Sequence, residues 1–396
     1  MTAATRYCWI FLATTGVLTG LILTLNLILE ERALGGPEST RLASEWQQQT
    51  RGVTYAPPIT RTRPFKSLRL ADRIADINAI VLGSSTNMGI TATMFPPPLQ
   101  VYNFTSTANA TANQVAEAEY LVAHHGRRLR FMLAGLDWSI GMIYHAIPVP
   151  VLDLSSRAAL SAESHPPVPL HSRITDALSY PKVLALLQAL RAVLRSEDRI
   201  DAFRRTFFDI AGAPYRCEDG ETARDFDVVN RGICRGFRYD GSWTYGGDRR
   251  LTKARAEVLA QAAAVPSSKF SKYLCETGGE PNAEYLKRFG AVAQRFAAQG
   301  GRMVFLMPPM IPGMEAAMSK NDANRICLER TKAVIGDWAK LNGVTVIDAG
   351  RSERYGCEAS GFSDEHHAYP QCLGRALASY FRAEREGRVK PGLFQP

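Results

Sequence analysis

The sequence predicts an α/β protein: a parallel sheet covered by helices on both faces, interrupted by one large, mainly helical and irregular insertion and preceded by one transmembrane helix. Three observations carry this expectation. Short apolar runs bounded by turn residues recur on both sides of the chain's middle, helix-like segments ending in glycine lie between them, and residues 7–29 contain no charge. Strands alternating with helices give a parallel sheet with both faces buried.

The uncharged stretch YCWIFLATTGVLTGLILTLNLIL, Tyr7 to Leu29, is 23 residues long and lies between Arg6 and the Glu30, Glu31, Arg32 cluster. A bilayer core takes about 20 apolar residues. A cleaved signal peptide has an apolar region of about 7–15 residues and a small-x-small cleavage site, for which Ala33-Leu34-Gly35 is a weak match. Residues 1–32 therefore read as an uncleaved anchor, and the flanking charges do not set its orientation. Residues 33–75, broken by APP and RTRP, read as a stalk.

Five strand-sized apolar runs follow: INAIVLGSS (77–85), LQVYNFT (99–105), LRFMLAGLDW (129–138), GRMVFLMPP (301–309) and GVTVIDAG (343–350). Each is rich in Val, Ile, Leu, Phe or Met. Helical segments ATANQVAEAEYLVAHHG (110–126), AEYLKRFGAVAQRFAAQG (283–300) and NRICLERTKAVIGDWAKLNG (324–343) alternate with them, each closing on a glycine. This assigns the α/β domain to residues 76–139 and 284–386 and an insertion to residues 140–283. The insertion holds a helical stretch over 173–196 and an aromatic, glycine-rich, cysteine-bearing stretch over 215–250.

At 396 residues, 46% hydrophobic and 21% charged, the chain can bury a full core. Its net charge of +9 favours anionic lipid headgroups or an acidic polymer as a partner. No zinc-finger spacing, recognition-helix pattern or basic-aromatic run is present, so nucleic acid is set aside. Of seven cysteines, Cys8 lies in the apolar segment. The other six show no metal-binding spacing, and nearest neighbours suggest the pairs Cys217–Cys234, Cys275–Cys327 and Cys357–Cys372 among 15 possible pairings. Oxidised cysteines would place most of the chain in the periplasm or an equivalent compartment.

Ligands of an open parallel sheet bind outside the carboxyl ends of its strands, where the first run delivers Ser84 and Ser85 in a tight turn. A serine there is a nucleophile only if a base takes its proton. His124 and His125 precede a helix-ending glycine and suit a structural role at the helix dipole, while His145, His165 and His171 fall in the insertion. This leaves GFSDEHHAYPQC (361–372), after the last strand. Asp364 and His367 stand three apart, a spacing that puts both side chains on one side of a tight turn, whereas Asp364 and His366 are too close. The carboxylate can hold the imidazole so that its other nitrogen faces Ser85. A Cys357–Cys372 bridge would clamp this loop and, for about 16 residues, contribute about 3 kcal/mol.

VLGSS at the first strand, with FSDEHHAYPQCLG near the end, resembles the SGNH/GDSL hydrolase superfamily. The resemblance covers about 77–138 and 301–380. It implies a flavodoxin-like three-layer fold with Ser85 as nucleophile and Asp364 and His367 as its acid and base. The N-terminal anchor, the GSS form of the first block and the LDW after the third strand look more like the membrane-anchored branch, which includes the D-alanyl transfer protein of teichoic acid modification and the alginate O-acetylation proteins. The family takes oxyanion donors from the nucleophile's N–H, a glycine after the second strand and an asparagine after the third. Here the second region, YNFTSTANAT, has no glycine and the third has Asp137 followed by Trp138. An ionised carboxylate stabilises no oxyanion, which leaves Asn103, Asn109 and Asn87 as candidate donors.

These readings lead to an anchored periplasmic protein of the inner membrane that transfers an acyl group, acetyl being the first candidate, to or from an envelope or exported polysaccharide. No metal or organic cofactor is implied. The family resemblance suggests a polytopic membrane O-acyltransferase as partner and acyl supplier. Trp138, Trp243 and Tyr245 are candidates for stacking on sugar rings. Hydrolysis by the same three residues, and a non-catalytic assembly or polysaccharide-binding subunit, are the alternatives.

Overall fold

A computed structural model of the chain describes residues 2–32, 37–55, 62–107, 109–137, 152–155, 170–207, 212–226, 232, 234–245 and 279–396. Its first part contains α1 (Ala3–Arg32), α2 (Pro37–Thr50), β1 (Val53–Tyr55), α3 (Arg63–Arg73), β2 (Ala79–Leu82), β3 (Val101–Asn103), α4 (Thr111–His125) and β4 (Phe131–Gly135). The expected insertion contributes α5 (Leu170–Ala177), α6 (Tyr180–Arg195), α7 (Arg199–Phe207), β5 (Tyr215–Arg216), β6 (Thr222–Asp225), β7 (Arg235–Phe237) and β8 (Trp243–Tyr245). The remainder holds α8 (Ala283–Ala298), β9 (Arg302–Met307), α9 (Met314–Met318), α10 (Asp322–Leu341), β10 (Thr345–Asp348), α11 (Pro370–Arg385) and β11 (Gly392–Phe394). Two compact units result, Met1–Phe65 with Ser161–Gly236, and Lys66–Leu160 with Phe237–Pro396.

In the first unit, α1 is long and apolar enough over Ala3–Ile28 to cross a membrane. Part of the expected stalk is folded: Val53 and Thr54 are buried, and β1 pairs in parallel with β6, which pairs antiparallel with β5. Of the two proline breaks, APP lies outside the described residues, and Pro64 of RTRP sits in the first turn of α3. The single helix expected over 173–196 is two helices. Pro181 has no N–H to donate to the carbonyl four residues back, that of Ala177 where α5 ends, and it is accommodated in the first turn of α6, where that N–H is not needed. Cys217 and Cys234 are disulfide-bonded in this unit.

The second unit is built on a six-stranded sheet in the order β11-β10-β9-β4-β2-β3. Every neighbouring pair is parallel. Five of these strands are the apolar runs of the sequence. The edge strand β11 lies beyond the expected domain end at residue 386 because GLF is too short to stand out as a strand until β10 offers it a partner. Helix α11 also has no counterpart among the sequence expectations.

Register shows how both faces are covered. Phe131 pairs with Arg302 and Ala134 with Phe305, so with side chains alternating along each strand, Phe131 and Phe305 point to opposite faces. Phe305 meets Phe289 of α8 and Trp338 of α10 edge to face, while Phe131 meets Phe381 of α11. Helix α8 begins where Asn282 accepts the Glu284 and Tyr285 N–H groups and buries Leu286, Phe289, Ala293 and Phe296 at helical spacing. Arg288 of α8 forms a paired bond to Glu119 of α4, and the Trp338 indole N–H donates to Leu286 O, which locks these helices side by side.

Candidate active site

Strand β2 is buried throughout and ends at Leu82, where Gly83 and Ser84 turn the chain into a 3-10 turn over Ser85–Asn87. Ser84 is 7% exposed and caps that turn, its Oγ accepting from Thr86 N. Ser85, the next residue, is partly exposed. The turn is pinned from below by Asn103 at the end of β3, whose Nδ2 donates to the carbonyls of Asn87, Met88 and Ile90. The same side chain accepts from Thr105 N and Oγ through Oδ1. From the other side, Trp243 N donates to Met88 O at 2.7 Å.

The second half of the site is a hairpin after β10. Ser363 N donates to His367 O, Phe362 and Ala368 form a bridge, and Tyr369 N donates to Gly361 O. Phe362 and Ala368 are fully buried and anchor its base. The disulfide Cys357–Cys372 ties the segments before and after the hairpin, and Ile311 N donates to Glu365 O, which binds it to the chain leaving β9. Inside the turn, Asp364 Oδ1 accepts from the N–H groups of His366 and His367 at 3.0 and 2.9 Å. That self-capping, common for Asp in turns, is what brings residues three apart together.

The two halves meet at atomic contact. His367 Nδ1 lies 2.6 Å from Asp364 Oδ2, and His367 Nε2 lies 2.8 Å from Ser85 Oγ. An ionised carboxylate only accepts, so Nδ1 carries the proton and Nε2 presents its lone pair to the Ser85 hydroxyl. Burial works against charge on Asp364, but the His367 hydrogen bond and the charges of His367 and His366 outweigh it and hold the carboxyl well below the ordinary range. His366 stacks on His367 with ring centroids 4.2 Å apart. Burial opposes its protonation, yet the Glu365 carboxylate 3.6 Å from its Nδ1 and the charges of Asp364 and Asp137 raise its pKa above the ordinary value. The ligand atoms of Asp364, His366 and His367 all lie within 4.8 Å of one another, close enough to share an ion, although both ring nitrogens of His367 are already engaged.

The remaining sequence candidates separate by their bonds. Asn103 has its donors filled by backbone, as above. Asn109 Nδ2 donates to Glu117 Oε2 at 3.0 Å and to Gly83 O at 3.4 Å. Asn87 is buried and its amide nitrogen and oxygen have no hydrogen-bond partner among the described residues. Its side chain fills the space that a Cβ on Gly83 or Gly135 would take, so those two glycines are there for close approach. Asp137 accepts the Thr86 hydroxyl at 2.5 Å, a contact through which it holds the serine turn. Trp243 is 5% exposed and packs edge to face on Phe237, so it is a core residue and not a sugar platform. Trp138 and the side chain of Tyr245 lie outside the described residues, as does Cys275, while Cys327 is disulfide-bonded.

Two contributors escaped the sequence reading. Thr86 is the link between the serine turn and Asp137. Lys66 of α3 is fully buried, donates to the carbonyls of Asn103 and Gly241, and faces the rings of Phe237 and Tyr102. Its only sequence signal was a lysine on the apolar side of a short helix, beside Phe65 and Leu68. Burial lowers its pKa to about 7 against the opposing charge of Asp240. Comparison of the chain with protein-family models and with curated proteins found no match.

Proposed function

We propose that this protein is a membrane-anchored, SGNH-like serine acyltransferase or esterase acting on O-acyl groups of an envelope or exported polysaccharide. The observation that carries the reading is the continuous contact from Ser85 Oγ through His367 to Asp364. The strand order supports it, because a parallel sheet whose first strand lies between the second and third is the flavodoxin-like arrangement of the SGNH fold. The serine and the hairpin lie beyond the carboxyl ends of β2 and β10, where such sheets bind ligands.

In the proposed reaction, Ser85 Oγ attacks the acyl carbonyl carbon as its proton passes to His367 Nε2, and Asp364 stabilises the imidazolium. The tetrahedral intermediate collapses when the leaving oxygen takes that proton, leaving an acyl-serine. A sugar hydroxyl or water then gives its proton to His367, attacks the acyl carbon and restores the Ser85 hydroxyl. Of the three asparagines weighed as oxyanion donors, only Asn87 has an amide not already given to another group. Disulfides and the apolar N-terminal helix support an inner-membrane protein with its bulk in the periplasm. A polytopic O-acyltransferase remains the proposed acyl supplier.

The filled donors of Asn103 and Asn109 and the carboxylate of Asp137 favour a second reading, a polysaccharide-binding or assembly subunit without turnover. The test is 4-nitrophenyl acetate turnover by the full-length protein in detergent, with and without a free oligosaccharide, for wild type and Ser85→Ala. Turnover and an acetylated Ser85 peptide in wild type, both lost in Ser85→Ala, support the enzyme. Acetyl-sugar product decides for transfer. Absence of turnover and of acyl-serine in the folded wild type favours the second reading.

A further inference from the structure

The apolar helix α1 does not end alone. Its last turns pack into the first unit's own small core, where Ile22 and Leu25 join Leu186, Leu190 and Val193 of α6 and Phe207 of α7. Asn26, 1% exposed, donates through Nδ2 to Ala177 O at the end of α5 at 2.6 Å. A hydrocarbon core takes about 20 residues, so a 26-residue apolar stretch ending at Ile28 brings Ile22 to Asn26 to one edge of the bilayer. Helices α5, α6 and α7 are therefore gathered where α1 emerges.

Helix α6 carries a second apolar face that this core does not use. Tyr180, Leu184, Leu187 and Leu194 are exposed, Leu187 by 56% and Leu194 by 64%. At 3.6 residues per turn they share an arc of about 80° with Arg191. Scattered exposed leucines are ordinary, but a continuous stripe of them on one helix marks a surface that meets something apolar. Residues 170–207 contain seven Lys or Arg and four Asp or Glu. Arg191 and Arg195 are exposed on α6, where long basic side chains can lie along apolar surface and reach lipid phosphates. Continuity with the span and this charge both select one occupant.

We propose that α5, α6 and α7 form a membrane-surface collar around the exit of α1, with the Tyr180, Leu184, Leu187 and Leu194 stripe of α6 embedded at the headgroup–acyl boundary. The collar gives the anchor a fixed attachment to its own unit, in place of a free tether. It is independent of the catalytic reading and rests on α1 crossing the bilayer.

The test uses the full-length chain in vesicles of phosphatidylethanolamine and phosphatidylglycerol. In a Cys8→Ser background, a nitroxide is attached to Leu187→Cys, Leu194→Cys, Phe11→Cys or the exposed control Glu358→Cys. Accessibility is measured to oxygen, which concentrates in lipid, and to a water-soluble nickel chelate. The expected result is an oxygen-to-chelate ratio at positions 187 and 194 several-fold above that at 358 and approaching that at 11. Chelate access at 187 and 194 equal to that at 358, with position 11 still shielded, overturns the collar while leaving the span. Shielding of 187 and 194 from both reagents means that protein covers the stripe, which also overturns it. Chelate access at position 11 removes the span and the collar together.

Discussion

Ser85 and His367 are 282 positions apart in the chain, yet Ser85 Oγ and His367 Nε2 lie 2.8 Å from each other. Neither residue reaches that position by itself. Ser85 is held by a 3-10 turn whose carbonyls are clamped by Asn103, and His367 by a hairpin whose N–H groups are clamped by Asp364.

Asp364→Asn keeps an oxygen for the turn's N–H groups but presents a neutral amide to His367 Nδ1. The hairpin is expected to stay folded while kcat falls about 10³–10⁴-fold, since the imidazole loses the group that fixes its tautomer and stabilises its charge. Steady-state ester turnover beside a thermal melt checks both halves. A fold change in kcat under tenfold with an unchanged melt would contradict the assigned role.

The same carboxyl predicts acid sensitivity. Its folded pKa lies below the unfolded value of about 3.9, so the stabilisation is fully present above that value and is lost as pH falls through the folded pKa. For His366 the sign reverses: its folded pKa is raised, so its contribution is present below about pH 6.5 and is lost as pH rises through the folded value. Denaturant midpoints across pH should show Asp364→Asn flattening the acid limb and His366→Gln flattening the decline above about pH 6.5.

Asn103→Leu removes the donor to three carbonyls, that of Asn87 at the end of the serine turn and those of Met88 and Ile90 just after it. A loss of about 2–4 kcal/mol is expected, larger than for one bond because several buried acceptors lose their partner together. Gly135→Ala drives a methyl group into the Asn87 amide and should destabilise by about 1–3 kcal/mol. Urea unfolding of the two variants measures both, and values within error of wild type would show that the turn is not held as described.

Lys66→Met leaves the carbonyls of Asn103 and Gly241 without their buried donor, a loss of about 1–3 kcal/mol. Because burial lowers the folded pKa to about 7, the unfolded chain binds more protons between there and about pH 10.4. Wild-type stability therefore gains a rising contribution with pH across that window, and Lys66→Met should lack it.

Cys357→Ser paired with Cys372→Ser tests the clamp around the hairpin. Opening this loop should lower stability by about 3 kcal/mol, and ester turnover should fall with it because the hairpin carries Asp364 and His367. Full activity at full stability would show that the buried anchors Phe362 and Ala368 suffice.

The sequence by itself determined the parts whose physics is local. Hydrophobic runs such as AIVL and RMVFLM specify buried parallel strands, the 23 uncharged residues from Tyr7 to Leu29 specify a helix long enough to cross a bilayer, and Asp364 three before His367 specifies a carboxylate and an imidazole in one turn. Only the tertiary structure decided what depends on distant partners. It made GLF a sheet edge beside β10, folded residues 53–55 against a strand about 170 positions later, and brought Lys66 beneath Asn103. It also sorted the asparagines: Asn87, Asn103 and Asn109 look alike in sequence, and only packing decides which buried amide is already spoken for. Periodicity reports which side of an element is apolar, whereas hydrogen-bond partners are set by which elements meet.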